Sequence, residues 1–398
     1  MPATSCSVVT DDFISSYPST ADLRQRAKRR MPPFVFEYLD GGCNEDVNLR
    51  RNVSELQSVE LMPKYLSKHT KSDMTTTLFG HAYDAPIGIS PVGLQGLMWP
   101  NCGDILAAAA HRHNIPFCLS TVSTTSIERA AELTDGQAWF QLYHPTEDSM
   151  RDDIINRAKD VGCPVLVILA DVPSFGFRPR DIRNGLAMPP SMSLKNILQI
   201  TCKPTWAFNT LKHGSPEFAT LKKYIPPGLN MSQLGKFMDK TFSGRLNEEK
   251  IKPIRDMWPG KLVVKGIVNE EDAERSLRLG CDGFIVSNHG GRQLDAGQST
   301  IKPLYHLAKK FRDKCVVMMD GGGQGGPDVA RAMACGAHFV FMGRTFMYGV
   351  GALGERGGNH TIAMLKRQLH QVMEQLCCQD TSEFPNHLIE EGLFGNCS

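Results

Sequence analysis

The chain has 398 residues, of which 41% are hydrophobic and 22% charged, and its formal net charge is +2. This length and composition indicate a globular protein and exclude a largely disordered chain, and the near-neutral charge gives no electrostatic basis for nucleic acid as a partner. The twelve cysteines are scattered without metal-ligand spacing, which predicts no metal site and a reduced, cytoplasmic compartment.

Residues 1–80 precede the first predicted strand and form a predicted N-terminal helical preface, with Ala21–Glu37 as its clearest helix. The first twenty residues lack the basic start and apolar core of a secretory signal. No apolar run approaches the roughly 18 residues that a spanning helix needs, so we expect no integral membrane segment. The basic residues between Arg24 and Arg30 are interpreted as the solvated face of a helix.

Eight short apolar runs follow, and each ends at a turn or a polar residue. The predicted strands are Ile87–Ser90, Phe117–Thr121, Ala138–Tyr143, Val165–Val172, Lys261–Gly266, Gly283–Asn288, Val316–Gly321 and His338–Gly343. Continuous apolar runs are typical of parallel strands covered by helices. Helix-like segments lie between them at Asp104–Asn114, Ser149–Val161, Asn269–Leu279 and Gly326–Cys335. The order predicts an α/β fold, a (β/α)8 TIM barrel over residues 81–375, with a C-terminal tail at 376–398.

One connection in this barrel is unusually long. Residues 188–260, between the fourth and fifth strands, are rich in Pro, Lys, Trp and Met. Long connections in compact domains are commonly functional, so this insertion is predicted to be an active-site lid. A peripheral membrane contact through the same residues, at the inner face of a membrane, stays open.

Polar residues collect at the predicted carboxyl ends of the strands, where barrel enzymes carry their active sites. The strand-end residues are Ser90, Ser120, Gln141, Tyr143, Asp171, Lys265, Ser287, Asn288, His289 and Asp320. Each of them alone could be a strand cap or a surface charge. Their common position on seven strands predicts a site at this rim.

The segment Ser287–Gln293 carries the residues best suited to chemistry. His289 lies in a glycine-flanked turn after a buried strand, so its imidazole can serve as a general base, although a strand cap is the alternative. Asp171 is the candidate partner that would favour the protonated imidazole. Arg292 offers a planar fork for a substrate carboxylate.

Lys265 ends an apolar strand, where a positive charge is costly unless an anion or an electron-rich ring meets it. An ammonium there would stabilise the negative N1–O2 edge of a reduced flavin. Pairing with a carboxylate of the barrel is the alternative. The glycine-rich loop Asp320–Gly326 before a helix, together with Arg344 after the eighth strand, predicts a phosphate site rather than a dinucleotide fold.

These residues together resemble the FMN-dependent L-2-hydroxy acid oxidases and dehydrogenases, a family that includes glycolate oxidase, flavin-type L-lactate dehydrogenase and mandelate dehydrogenase. The similarity covers about residues 20–375, and Ser287–Gln293 is the family signature. The resemblance implies FMN as cofactor, a small 2-hydroxy acid as substrate and a homo-oligomer, a tetramer in this family.

The resemblance also implies a role for each site residue. Contact with the substrate and its protons is implied for Tyr38, Tyr143, Arg178, Arg292, His289 and its partner Asp171. Contact with FMN is implied for Lys265 at the N1–O2 edge and for Gly93, Ser120, Gln141, Ser287, Asp320, Gly322, Gln324, Gly343 and Arg344.

Three positions depart from the common pattern of this family. Gln324 stands where most members have an arginine in the phosphate loop, and Leu169 replaces a usual threonine beside the flavin. Phosphate binding then rests more heavily on Arg344 and the loop amides, and one hydroxyl hydrogen bond beside the flavin is absent. Val122 replaces the tryptophan of glycolate oxidases and resembles the lactate and mandelate dehydrogenase branch.

The sequence therefore predicts FMN-dependent oxidation of a lactate-like L-2-hydroxy acid to the 2-oxo acid. The electron acceptor is left open among oxygen, a quinone and another carrier, with a dehydrogenase favoured over an oxygen-using oxidase. Two competing interpretations are a flavin-binding protein without turnover, suggested by Gln324 and Leu169, and a flavin-dependent isomerase on the same barrel.

Overall fold

The computed structural model describes residues 12–186, 192–229, 231–242 and 244–394 of the chain. Its N-terminal helices are α1 (Thr20–Arg30), α2 (Pro33–Asp40) and α3 (Val47–Gln57). The single helix predicted at Ala21–Glu37 is wrong. Proline has no amide hydrogen and disfavours helical backbone in the residue before it, so α1 ends at Arg30 and Pro33 begins a new helix.

A two-stranded antiparallel hairpin, β1 (Thr76–Leu78) and β2 (His81–Tyr83), follows the helices. The prediction of a purely helical preface omitted it, because three-residue strands are too short to show a period in the sequence. Leu78 and Tyr83 pack with Trp139, whose indole donates a 3.3 Å hydrogen bond to the Tyr83 hydroxyl. The hairpin therefore packs against residues of the barrel interior.

Eight parallel strands form the barrel. They are β3 (Ile87–Ile89), β4 (Cys118–Ser120), β5 (Trp139–Leu142), β6 (Val165–Leu169), β7 (Lys261–Ile267), β8 (Gly283–Val286), β9 (Val316–Asp320) and β10 (Phe339–Met342). Their spatial order is β3-β10-β9-β8-β7-β6-β5-β4, and a parallel bridge between Ile89 and Phe117 joins the two ends. The predicted (β/α)8 barrel is confirmed.

Helices surround the sheet and continue beyond it. They are α4 (Gln95–Met98), α5 (Cys102–Arg112), α6 (Ile127–Thr134), α7 (Asp148–Asp160), α8 (Pro179–Arg183), α9 (Leu194–Thr201), α10 (Pro204–His213), α11 (Met231–Thr241), α12 (Glu248–Met257), α13 (Glu270–Arg278), α14 (Ile301–Phe311), α15 (Gly326–Ala334), α16 (Arg344–Leu353) and α17 (Gly357–Leu376), with 3₁₀ turns at His289–Gly291, Gly354–Arg356 and Thr381–His387. The four helices predicted between strands are all present, with ends shifted by at most two residues. Among the described residues, no helix is long and apolar enough to cross a membrane.

The insertion between β6 and β7 contains α8 to α11 and is attached to the rest of the fold at several points. Trp206 is buried and donates from its indole to the carbonyls of Leu97 and Met98, at 3.3 and 3.0 Å. The last part of the predicted stretch 188–260 is α12, which buries Ile251 and Ile254 in the core directly before β7. Residues 188–191 of that stretch, with 230 and 243, lie outside the described residues.

The residues beyond α17 pack back onto the protein. Phe384, in the 3₁₀ turn Thr381–His387, is fully buried. A bridge joins Leu388 to Leu61 and another joins Asp380 to Asp73. The predicted tail is thus fixed against the N-terminal segment as far as Leu388, and Phe394 packs on Tyr305 of α14.

Candidate active site

The alternation of side chains along the strands explains why polar groups meet inside the barrel mouth. In β6, Val165 and Val167 face the barrel interior while Leu166 and Ile168 face the helices. In β7, Val263 faces inward, so Lys265 two residues later points the same way. In other strands, too, the residue two positions after an apolar interior residue is polar. These polar residues are Ser120, Gln141, Ser287 and Asp320, and all of them are buried.

His289 and Asp171 form the central pair of the site. His289 Nδ1 lies 2.9 Å from Asp171 Oδ1, and the backbone amide of His289 donates to Ser287 Oγ at 3.1 Å. His289 has a φ of 56°, in the left-handed region, and the two glycines after it continue the tight turn. Because the carboxylate takes Nδ1–H, the neutral ring presents Nε2 as its proton acceptor.

The charges around this pair set its protonation states. Burial alone would raise the pKa of Asp171, but Lys265 and His289 outweigh it and lower that pKa to about 2. Burial lowers the pKa of His289 below its ordinary value of 6.5, and Asp171 opposes part of this effect. At neutral pH the pair is therefore a carboxylate beside a neutral imidazole, as a general base requires.

Lys265 is the buried positive charge of the barrel mouth. Its ammonium donates to Ser287 Oγ at 2.7 Å and lies 3.1 Å from Asp320 Oδ2 and 3.5 Å from Asp171 Oδ2. Burial disfavours the charge, but the two carboxylates more than compensate, so the pKa of Lys265 is raised. Pairing with barrel carboxylates, which the sequence left open, is therefore present and leaves the group charged.

Two arginines and a tyrosine lie beside His289. Arg292 Nη1 donates to the carbonyls of Tyr38 and Gly41, both at 2.8 Å, and its guanidinium carbon lies 5.1 Å from the Tyr38 ring centre. Arg178 donates to the Arg292 carbonyl at 3.4 Å. Burial and the positive charge of Arg178 lower the pKa of Arg292. Like charges held together in a buried site favour an anionic ligand.

The glycine-rich loop between β9 and α15 is shaped by close backbone contacts. Gly322 has a φ of +90°, and a side chain there would meet the Asn52 carbonyl at 2.4 Å. Asp328 already accepts the amides of Gln324 and Gly325, at 2.8 and 3.2 Å. The Asp328 carboxylate, on the third residue of α15, therefore takes up these two amides as one half of a capping box.

Arg344, predicted to hold a phosphate, has its donors directed at backbone carbonyls. It donates to Leu39 and Gly290 at 3.0 Å each and to Gly41 at 2.8 Å. The guanidinium thus joins α2 to the His289 turn as well as lining the same cleft as Gly322.

Two asparagines on α3 hold the signature loop, and the sequence analysis missed both. Asn52 and Asn288 exchange side-chain hydrogen bonds of 2.8 and 2.7 Å, and Asn288 also donates to Asn48 Oδ1 at 2.9 Å. Asn48 and Asn52 are fully buried. Their spacing of one helical turn, which places them on the same face of α3 as the buried Leu56, was the only signal available.

A single cleft of about 640 Å³ contains most of the predicted residues. Those lining it are Tyr38, Gly93, Gln141, Tyr143, Arg178, Lys265, His289, Arg292, Asp320, Gly322, Gln324, Gly343 and Arg344. Asp171 and Ser287 lie behind this lining and contact Lys265. Ser120 also lies outside the lining, where its hydroxyl accepts the Val122 amide at 3.4 Å.

Comparison with known proteins identifies the family. A profile of FMN-dependent dehydrogenases matches residues 27–391. The chain belongs to this family. Its cofactor is FMN, and it is an FMN-dependent 2-hydroxy acid oxidoreductase.

The individual relatives are lactate and mandelate dehydrogenases. The chain is 35% identical to an L-lactate dehydrogenase of Ectopseudomonas mendocina (strain ymp), over 93% of this chain and 98% of that one. It is 37% identical to an L-lactate dehydrogenase of Pseudomonas syringae pv. syringae (strain B728a), over 89% and 93%. Among solved structures, a monotopic membrane protein, (S)-mandelate dehydrogenase, matches with a TM-score of 0.88 at 33% identity, over 93% and 98% of the two chains.

The residues of this member of the family fit FMN. Asp320 Oδ1 is a buried acceptor without a partner among the described residues, which suits a hydroxyl donor such as those of the ribityl chain. A side chain at Gly93 would meet Val122 at 2.7 Å, so the wall beside it is already close-packed. The buried Lys265 supplies positive charge next to Asp320.

Proposed function

We propose that this flavoprotein oxidises an L-2-hydroxy acid of the lactate type, an α-hydroxy carboxylate with an uncharged side chain, to the 2-oxo acid. The observation that carries the proposal is the His289–Asp171 pair in the same cleft as Arg178 and Arg292. FMN supplies the two-electron oxidation when bound. The protein side chains supply binding, orientation and proton transfer.

Arg292 and Arg178 bind the substrate carboxylate. Burial, and after it the positive charge of Arg178, lowers the pKa of Arg292, and a bound carboxylate offsets both effects. Tyr38 and Tyr143 line the same cleft and orient the substrate from their two positions. The fixed carboxylate directs the hydroxyl-bearing carbon toward His289.

His289 Nε2 takes a proton from the substrate. Either the hydroxyl proton or the α-proton is consistent with this role, and the Asp171 carboxylate stabilises the imidazolium that results. Lys265 stays charged between Asp171 and Asp320, so it provides a fixed positive charge toward the cofactor.

We favour a dehydrogenase that passes electrons to a carrier or quinone over an oxygen-using oxidase. The support is the likeness to two L-lactate dehydrogenases and the small Val122 in the cleft. The test is to record the visible spectrum anaerobically, add a panel of L- and D-2-hydroxy acids, and then admit oxygen. Bleaching by L-isomers with slow reoxidation supports this function, rapid reoxidation favours an oxidase, and no bleaching supports a flavin-binding protein without turnover.

A peripheral contact with the inner face of a membrane is part of this proposal. On α9 and α10 the side chains of Leu194 and Leu211 are 80% and 83% exposed, and Leu198 and Phe208 are exposed beside them. An exposed apolar surface of this kind needs a partner. A structural relative, 33% identical to this chain, is a monotopic membrane protein. We propose that the protein lies in the cytoplasm against the inner face of a membrane, with α9 and α10 of the insertion docked on lipid.

Vesicle co-sedimentation tests the membrane contact. Phe208→Ser combined with Leu211→Ser should weaken binding to phosphatidylglycerol-containing vesicles at least about tenfold, since about two buried apolar side chains are lost. Leu66→Ser is the matched control, because Leu66 is fully exposed in the loop between α3 and β1, outside α9 and α10. Equal vesicle binding by the wild-type protein, the double variant and Leu66→Ser would contradict the membrane contact. The tetramer implied by the family is tested separately, by light scattering of the purified protein.

A further inference from the structure

One wall of the cleft is apolar and comes from the insertion between β6 and β7. Phe218, Met238 and Phe242 line the cleft on this side, together with Val122 from the loop after β4. Met238 and Phe242 are buried in the core, whereas Phe218 is partly exposed. No prediction from the sequence singled out these three residues.

Backbone hydrogen bonds fix this wall to the barrel mouth. The Ala219 amide donates to the Ser123 carbonyl at 3.1 Å, which sets Phe218 next to the residues that follow β4. The Thr146 amide donates to the Thr241 carbonyl at 2.8 Å. The first bond ties the segment at Phe218 to the loop after β4. The second ties the end of α11, next to Phe242, to the loop after β5.

Tyr143 connects the apolar wall to the substrate site. Its ring packs edge-on against Phe242, with centroids 6.0 Å apart. The carboxylate of a bound hydroxy acid is directed to Arg178 and Arg292, and its hydroxyl to His289. The remaining substituent of the α-carbon is therefore the group left to face Tyr143 and the wall behind it.

We propose that Phe218, Met238 and Phe242 form the specificity pocket for the substrate side chain, and that the preferred substrates carry a branched aliphatic or aromatic side chain. This inference rests on the proposed function of the cleft. The wall residues present no hydrogen-bonding side chain, so a charged or hydroxylated substituent would lose its hydration there without compensation. An apolar substituent larger than methyl fills the same space favourably.

The experiment is steady-state kinetics of the FMN-loaded protein with an artificial electron acceptor. The substrates are glycolate, L-lactate, L-2-hydroxyisocaproate, L-mandelate and L-malate. We expect kcat/KM for 2-hydroxyisocaproate or mandelate to exceed that for lactate by about tenfold or more, since a single methylene in an apolar pocket contributes roughly 10–200-fold. Glycolate and malate should be the poorest substrates.

Reciprocal variants at the partly exposed Phe218 locate the effect. Phe218→Trp should lower kcat/KM for the larger substrates about tenfold while changing lactate by less than about threefold, and Phe218→Ala should reduce the preference for apolar side chains. Tyr65→Ala, at an exposed aromatic side chain in the loop between α3 and β1, is the matched control and should leave the order of substrates unchanged.

The outcomes separate this inference from the function on which it rests. If no L-2-hydroxy acid is oxidised, the proposed function fails. If an L-2-hydroxy acid is oxidised but lactate, glycolate or malate is preferred to the larger apolar substrates, or if Phe218→Trp lowers kcat/KM equally for all substrates, the function stands and the specificity pocket is wrong. A selective loss of the large substrates in Phe218→Trp supports it.

Discussion

His289 Nδ1 lies 2.9 Å from Asp171 Oδ1, although 118 residues separate the two in the chain. Asp171 follows β6 and His289 follows β8, so the carboxyl ends of the strands bring them together across the mouth of the barrel. The pair carries one negative charge at neutral pH, because the pKa of Asp171 is about 2 and that of His289 is lowered by burial.

Asp171→Asn should lower kcat by about 100-fold or more, because the amide no longer favours the protonated imidazole. The activity of the wild-type protein should rise with pH through the His289 pKa, below 6.5, and stay high above it. Removing the carboxylate lowers that pKa further, so the acid limb of the kcat/KM profile should move to lower pH. An unchanged acid limb would argue that His289 is not the titrating base.

Arg292→Lys should raise KM for the hydroxy acid by about 10- to 100-fold with a smaller change in kcat, because lysine cannot reproduce the planar fork. Arg183→Lys is the matched control, since Arg183 is exposed on α8, five residues beyond Arg178. Initial rates over a range of L-lactate concentrations measure the effect. Equal KM values in the two variants would remove Arg292 from the carboxylate site.

Asn52→Ala should reduce the free energy of unfolding by about 1–3 kcal/mol, because Asn288 loses both of its hydrogen bonds to Asn52. It should also lower kcat, since Asn288 adjoins His289. Asn269→Ala removes the N-cap of α13, which costs about 1 kcal/mol without touching the site. Urea unfolding and kinetics of both variants distinguish positioning of the loop from a general loss of stability.

Gln324→Arg should strengthen FMN binding by about three- to tenfold, because an added guanidinium at the glycine-rich loop attracts the phosphate. The gain is modest because position 324 is exposed and solvent screens the added charge. Gln324→Met is the neutral control of similar length. Fluorescence titration of the FMN-free proteins with FMN gives the two dissociation constants. Identical constants for Arg and Met would show that this position does not face the phosphate.

Much of the fold could be predicted from the sequence, because buried parallel strands are continuous apolar runs. All eight strands were located, including β7, where Lys265 interrupts such a run. The break between α1 and α2 was missed, although Pro32 and Pro33 stand at it, because the apolar period continues across them. The hairpin β1–β2 was missed because its three-residue strands are too short to show a hydrophobic period in the sequence.

The site was predictable where one residue type at a strand end has a specific chemistry, as for His289 and Lys265. The apolar wall of Phe218 and Phe242 was not, because apolar side chains in a long insertion look alike whether they face the core or a cleft. The three carbonyl contacts of Arg344 were also unpredictable, since they depend on how α2 approaches the His289 turn.

The most direct measurement is anaerobic bleaching of the FMN absorbance in His289→Gln by excess L-2-hydroxy acid. Glutamine keeps a polar side chain but cannot accept the proton, so the variant should bind FMN, remain yellow and bleach at least about 100-fold more slowly than the wild-type protein. Bleaching of His289→Gln at the wild-type rate would contradict the assignment of His289 as the base.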